Sequence, residues 1–264
     1  MARFHVIAGA DEIPAHQQIR TVGFFDIEDA LARGLDDFKA MPSHVVFLGL
    51  IYPVVGFFLG GLTLGYNILP LFFPMAAGFA LIGPIAAIGL YELSRRREDG
   101  IDTHWTHALD VIRSPSFGAI AALGALLMFM FLAWLVTAQS IYRSIFGVYA
   151  APDSVAEFLR EVFTTEKGWQ LIVWGNAAGF VFALVTFIVS VISFPLLLDR
   201  DVGAAVALTT SVRAVAANPL PMPAWGVIFA VALFVGSLPF FVGLAVVIPV
   251  LGHATWHLYR RIVV

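Results

Sequence analysis

Apolar residues along this chain gather into a few long runs separated by short mixed segments. Four runs, His44 to Leu64, Leu69 to Leu93, Ser116 to Ala138 and Trp169 to Leu198, each reach the roughly 20 residues that a helix needs to cross hydrocarbon. A fifth stretch, Trp225 to Tyr259, is too long for one ordinary crossing and short for two. Gly236-Ser237-Leu238-Pro239 supplies a turn inside it, because glycine frees the backbone and proline ends or kinks a helix. The expected fold is therefore all-α, a polytopic membrane bundle of about six crossings. The alternative is one long kinked helix continuing past Pro249.

Three of the mixed segments superpose without gaps when aligned on their closing prolines: Asp26 to Pro42, Asp99 to Pro115 and Gly203 to Pro219. In the first, Ile27, Ala30, Leu31, Gly34, Leu35 and Phe38 recur at helical spacing, with Glu28, Asp29, Arg33, Asp36 and Asp37 on the charged back. The second carries Ile101, Trp105, Ala108, Leu109 and Ile112, and the third Ala204, Ala207, Leu208, Val212 and Val215. Such stripes predict amphipathic helices at the membrane interface, and a proline after each lets the chain turn into the bilayer. Each is followed by a pair of crossings, which divides the chain into three hairpin repeats. The boundaries are a tail 1–23, repeat one 24–93, repeat two 94–198 with a loop 139–168, and repeat three 199–264.

Composition sharpens this picture. The 264 residues are 60% hydrophobic and 12% charged, with a mean hydropathy of +0.89, well outside the range of soluble domains. The net charge of -3 argues against a nucleic-acid partner, which would need clustered basic surface, and the absence of cysteine excludes disulfides and thiolate chemistry. No signal-peptide core interrupts the first forty residues, so the amino terminus is expected to be retained. Arg and Lys mark the cytoplasmic side. They precede the first crossing (Arg3, Arg20, Arg33, Lys39), follow the second (Arg95, Arg96, Arg97, Arg113) and end the chain (Arg260, Arg261). Both termini are thus read as cytoplasmic and loop 139–168 as external. In that loop Ser154 and Glu157 form a capping box for a short amphipathic helix ending near Gly168.

Chemistry has few footholds. The acidic residues fall in tails, loops or helix ends, as Glu92 and Asp199 do, whereas ion-coupled transport places ionisable groups within the membrane. Thr186, Asn176, Ser190 and Ser193 read as helix-to-helix hydrogen bonding. Two histidine pairs, His104 with His107 and His253 with His257, are spaced to share a helix face and are the candidates for a metal or haem. Trp105, Trp256 and Tyr259 beside them, with Phe158 and Phe163 in the external helix, are candidate interface residues. No serine shows a convincing histidine and acid partner, and no cofactor is expected.

The run Phe24-Phe25-Asp26-Ile27 with Asp29-Ala30-Leu31, the Asp37-Phe38 pair leading to Pro42, and the ending Pro249 to Arg260 resemble a family of uncharacterised bacterial integral membrane proteins. The resemblance implies a bacterial inner-membrane protein with no activity to carry over. Some members are labelled cytochrome c oxidase subunit I. That catalytic subunit needs several histidines inside the membrane, and this chain has none at mid-depth, so the label points at most to company with respiratory or photosynthetic complexes. Two classes stay open, a non-catalytic accessory or assembly subunit bound to the bilayer and to a heterologous membrane complex, and a small transporter or lipid-handling protein. A metal- or haem-binding role for the histidine pairs is the third.

Overall fold

The computed structural model describes residues 17–41, 56, 69–148, 154–238 and 242–264. Its helices are α1 (Phe24–Ala40), α2 (Phe72–Phe79), α3 (Gly83–Glu98), α4 (Phe117–Phe146), α5 (Val155–Thr164), α6 (Glu166–Ser190), α7 (Ser193–Asp199), α8 (Gly203–Ala217), α9 (Pro221–Ser237) and α10 (Leu244–Ile262). Short 3-10 turns Leu69–Leu71 and Ala80–Ile82 flank α2, and a longer 3-10 helix runs from Trp105 to Arg113. Among the described residues the sole β pairing is an isolated antiparallel bridge between Ile19 and Val263. The fold is all-α, a polytopic helical membrane protein.

Three helical stretches are long and apolar enough to cross a membrane: Leu69–Glu98, Phe117–Phe146 and Glu166–Asp199. They contain the second and fourth expected crossings and all of the third but Ser116, and extend past each. The first, at His44 to Leu64, lies outside the described residues except for Gly56, and Pro42, which ends the first repeat segment, lies outside them too. The Trp225 to Tyr259 stretch is not one kinked helix. It breaks after Ser237, within the expected Gly236 to Pro239 turn, and resumes at Leu244, and Pro249 sits inside α10. Neither α9 (17 residues) nor α10 (19 residues) satisfies the length and apolarity of a crossing alone, although α8 and α9, bent by 102°, do so as a pair.

The three proline-ended segments adopt two different forms. The first and third are α-helices, α1 and α8, whereas the second becomes extended chain and then the 3-10 helix Trp105–Arg113. Asp102 explains part of that difference: its carboxylate accepts from the His104 backbone N–H and from His107, so side-chain bonds compete with an α-helical start. In the loop helix, Ser154 caps as its spacing predicts, accepting the Glu157 N–H at 3.1 Å. That helix ends at Thr164, earlier than expected, and α6 begins at Glu166.

The chain forms two compact units. One comprises residues 54–83 and 125–186. Its centre is Trp134, packed with Leu81 and Ala138. The indole N–H donates to the Pro74 carbonyl at 2.8 Å, which gives its polar edge a partner.

The other unit comprises residues 1–53, 84–124 and 187–264. Here α1 lies along α10 with Ile27, Ala30, Gly34 and Asp37 turned inward. The helices approach so closely at Gly34 that a Cβ there would stand 2.6 Å from the Ala254 amide nitrogen and 2.7 Å from the Val250 carbonyl oxygen. The chain breaks between α6 and α7, and the Ile192 N–H freed there donates to Ser211 Oγ on α8 at 3.2 Å. Ser211 in turn donates to the Ile188 carbonyl at 2.7 Å, and Ser193 to the Ala207 carbonyl at 3.2 Å. A backbone break in an apolar setting requires such satisfaction. Of the four polar residues read as interhelical, Ser193 bonds across helices, while Asn176 bonds within its own helix to the Ile172 carbonyl.

Gly34→Ala should loosen the α1 and α10 contact, because the atoms in its way are backbone and the Ala254 Cβ, neither of which can swing aside. Overpacking of this kind costs about 1–3 kcal/mol. Thermal unfolding in detergent should show a lower midpoint for this variant, and an unchanged midpoint would contradict the close approach.

Candidate functional site

The face of α1 that packs on α10 ends in a carboxylate. Asp37 follows Gly34 by three positions on the inward stripe and is 3% exposed, a costly placement unless the charge is compensated. Three donors supply the compensation. Ser94 Oγ on α3 donates to Oδ2 at 2.6 Å, His257 Nε2 on α10 lies 2.9 Å from the same oxygen, and Arg97 on α3 donates to Oδ1. His253, fully buried, places Nδ1 2.7 Å from Ser94 Oγ. Since the single Ser94 proton goes to Asp37, His253 Nδ1 must be the donor in that contact.

Burial pushes the Asp37 carboxyl up, but the hydrogen bonds from His257 and Ser94, the His257 charge and Arg97 outweigh it, holding the carboxyl below its usual range. Beside this node lies a cleft of about 310 Å³ lined by Arg33, Asp36, Asp37, Ser94, Arg97, Glu98 and His257.

Other ion pairs secure the same region. Arg261 on α10 meets Asp29 on α1 at 2.7 Å. Glu98 accepts from the Trp256 indole at 3.0 Å and from Arg260 at 3.2 Å, and Tyr259 donates to Asp199 at 2.6 Å. Glu92, 3% exposed, is held by Arg95 at 2.9 Å and faces Arg96 at 3.8 Å. The Arg95-Arg96-Arg97 run is thus spent on the buried carboxylates of Glu92 and Asp37.

The two histidine pairs separate. His253 and His257 meet at the Asp37 node. His107 instead binds Asp110 at 2.7 Å and Asp102 at 3.0 Å, and His104 Nδ1 lies 2.9 Å from Thr106 Oγ1. Among the described residues no three His, Asp or Glu side chains are arranged to hold a metal. The candidate interface residues separate too. Trp105 and Phe163 are exposed and Phe158 half-buried against Tyr142, but Trp256 and Tyr259 are buried, so these two hold the fold and present no surface.

One expectation needs correction. Ser94 does have histidine and acid partners, hidden from the sequence because they lie 159 and 57 positions away. Their order is wrong for a nucleophile. A catalytic serine gives its proton to a histidine that the acid orients, whereas Ser94 stands between the two and donates to the acid. The sequence also set Asp37 on the charged back of α1. The 27, 30, 34, 37 spacing was the available signal that it continues the buried stripe.

Comparison with family models identifies the segment that carries α2 to α7. Residues 72–199 match the family model of DUF2189, described as a predicted integral membrane protein. The matched stretch holds Ser94, Arg97 and the His104 and His107 pair, while Asp37, His253 and His257 lie outside it, as do all three motifs that carried the sequence resemblance. The node therefore ties the DUF2189 segment to the helices on either side. No curated protein and no solved structure matches the chain.

Because its folded-state pKa is depressed, Asp37 contributes stability that is present above about pH 4 and is lost as pH falls through that depressed value. Asp37→Asn should cost about 2 kcal/mol at neutral pH, the scale of hydrogen bonds to a charged group. The difference between variant and parent should shrink in acid, which denaturation midpoints across pH would reveal. A constant difference would contradict the assignment. His107 titrates in the opposite sense: hydrogen bonds to Asp110 and Asp102 raise it above 6.5. Its ring resonances should shift at a midpoint above 6.5, and Asp110→Asn should lower that midpoint.

Proposed function

We propose that this integral membrane protein is a non-catalytic accessory or assembly subunit of a bacterial inner-membrane complex, with both termini cytoplasmic. The observation that carries this reading is the use to which the Asp37 node puts its reactive groups. A carboxylate, a hydroxyl and a guanidinium saturate one another and the imidazole of His257, and the result is a clamp joining α1, α3 and α10. A general base needs an accessible lone pair and a nucleophile needs a base beside it; the Asp37 and Ser94 oxygens are committed to partners already.

The surface supports the same reading. Ile101 ahead of the 3-10 helix, Leu109 and Ile112 within it, and Val155, Leu159 and Phe163 on α5, are exposed. These short amphipathic segments offer apolar faces to lipid or to neighbouring subunits. The oxidase label of some relatives makes respiratory and photosynthetic complexes the first place to look for the partner.

Purification from native membranes in mild detergent should yield a heterologous membrane protein at fixed stoichiometry. Recovery of a homogeneous monomer or homo-oligomer alone would overturn the proposal.

A further inference from the structure

We infer that α9 and α10 form a re-entrant hairpin, whose apolar tip dips into one leaflet and returns without crossing the bilayer. This goes beyond the accessory reading and does not depend on it. The level of the membrane edge comes first. Glu98 and Asp199 close two of the three crossing stretches, Leu69–Glu98 and Glu166–Asp199, and both are bonded to the carboxyl half of α10. Ser94 meets His253, Glu98 meets Trp256 and Arg260, and Asp199 meets Tyr259. Gly252 lies against Leu90, one turn before Ser94. Hence α10 runs in the same direction as α3, and His253 stands level with its polar end.

Only Leu244 to Gly252 of α10 then remains to enter hydrocarbon. At 1.5 Å per residue those residues reach about 14 Å, half of the roughly 30 Å core. The partner leg agrees. On α9 Trp225 and Met222 are fully buried near the base, while Val227, Val231, Phe234 and Leu238 are exposed along the remainder.

The two legs come close together at Gly236 and Gly243. A Cβ on Gly243 would stand 2.7 Å from the Gly236 carbonyl oxygen, and one on Gly236 would stand 3.1 Å from Val247. At the base both legs are tied to the segment Gln18 to Val22. The Val22 N–H donates to Asn218, at the 102° bend between α8 and α9, at 2.7 Å. Arg20 N–H donates to the Ile262 carbonyl at 2.8 Å, and Val264 N–H to the Gln18 carbonyl at 3.1 Å. An exposed tip of Leu238 and Val242, at 65% and 71%, is unfavourable in water and fits acyl chains.

The chain has no cysteine, so single-cysteine variants can be spin-labelled directly. Leu238→Cys and Val242→Cys would be labelled in purified protein reconstituted into phosphatidylcholine vesicles. Phe129→Cys, exposed in mid-α4, serves as the hydrocarbon reference, and Glu157→Cys on α5 as the aqueous one. Collisions with oxygen relative to a water-soluble nickel chelate should match the Phe129 site, about tenfold above the Glu157 site, since water is scarce in the bilayer core. Both tip residues are open to the surface, so labelling need not disturb packing. Ready nickel access at either would overturn the inference, because a tip that crosses the bilayer and one that never enters it both meet water. With no other protein in the vesicles, shielding from nickel reports lipid.

Discussion

A carboxylate turned into a protein interior must be compensated or neutralised, and Asp37 is compensated by groups from helices remote in sequence. Ser94 and Arg97 reach it from α3 and His257 from α10. Each of those helices is thereby held to a single register. Sliding α1 by one turn would leave Asp37 buried without its donors, a loss of several kcal/mol for a buried charge. The close approach at Gly34 and the Arg261 pair with Asp29 set the same register from two further points. The amphipathic helix at the start of the chain is therefore part of the folded body, bound to protein on its inward face. Only its outward residues, such as Phe24 and Phe25, remain for lipid or a neighbour.

The second constraint is the thickness of hydrocarbon, which separates helices that cross from helices that do not. Three stretches of 30, 30 and 34 residues exceed it. The polar half of α10 is excluded by what it carries. His253, His257, Arg260 and Arg261 are bonded to α1, to the end of α3 and to Asp199. Charge compensation thus decides where the last helix can sit, and through it how deep the preceding turn can reach.

Much of the architecture was legible because it follows from long apolar runs. The crossings at Leu69, Ser116 and Trp169 and the cap at Ser154 rest on length and local hydrogen bonding, which sequence encodes directly. What escaped was encoded in pairs far apart. Asp37 looks like a surface acid until α10 is laid against it, and the histidines at 253 and 257 look like metal ligands until Asp37 and Ser94 take their nitrogens. The second proline-ended segment misled differently. It shares the offset of the other two, yet its Asp102 and Asp110 bind His107 and the His104 amide locally, and a 3-10 helix results. Trp256 and Tyr259 look like membrane-interface aromatics, yet their polar atoms bond Glu98 and Asp199 inside the fold.

The central claim is that one buried carboxylate holds α1 and α10 together as a unit. Hydrogen exchange of Asp37→Asn against the parent, followed by mass spectrometry in detergent, addresses it most directly. Residues 24–40 and 250–262 should lose protection together, with α4 unchanged, because the helices open as one. Faster exchange confined to the last turn of α1, or spread evenly over all helices, would contradict it.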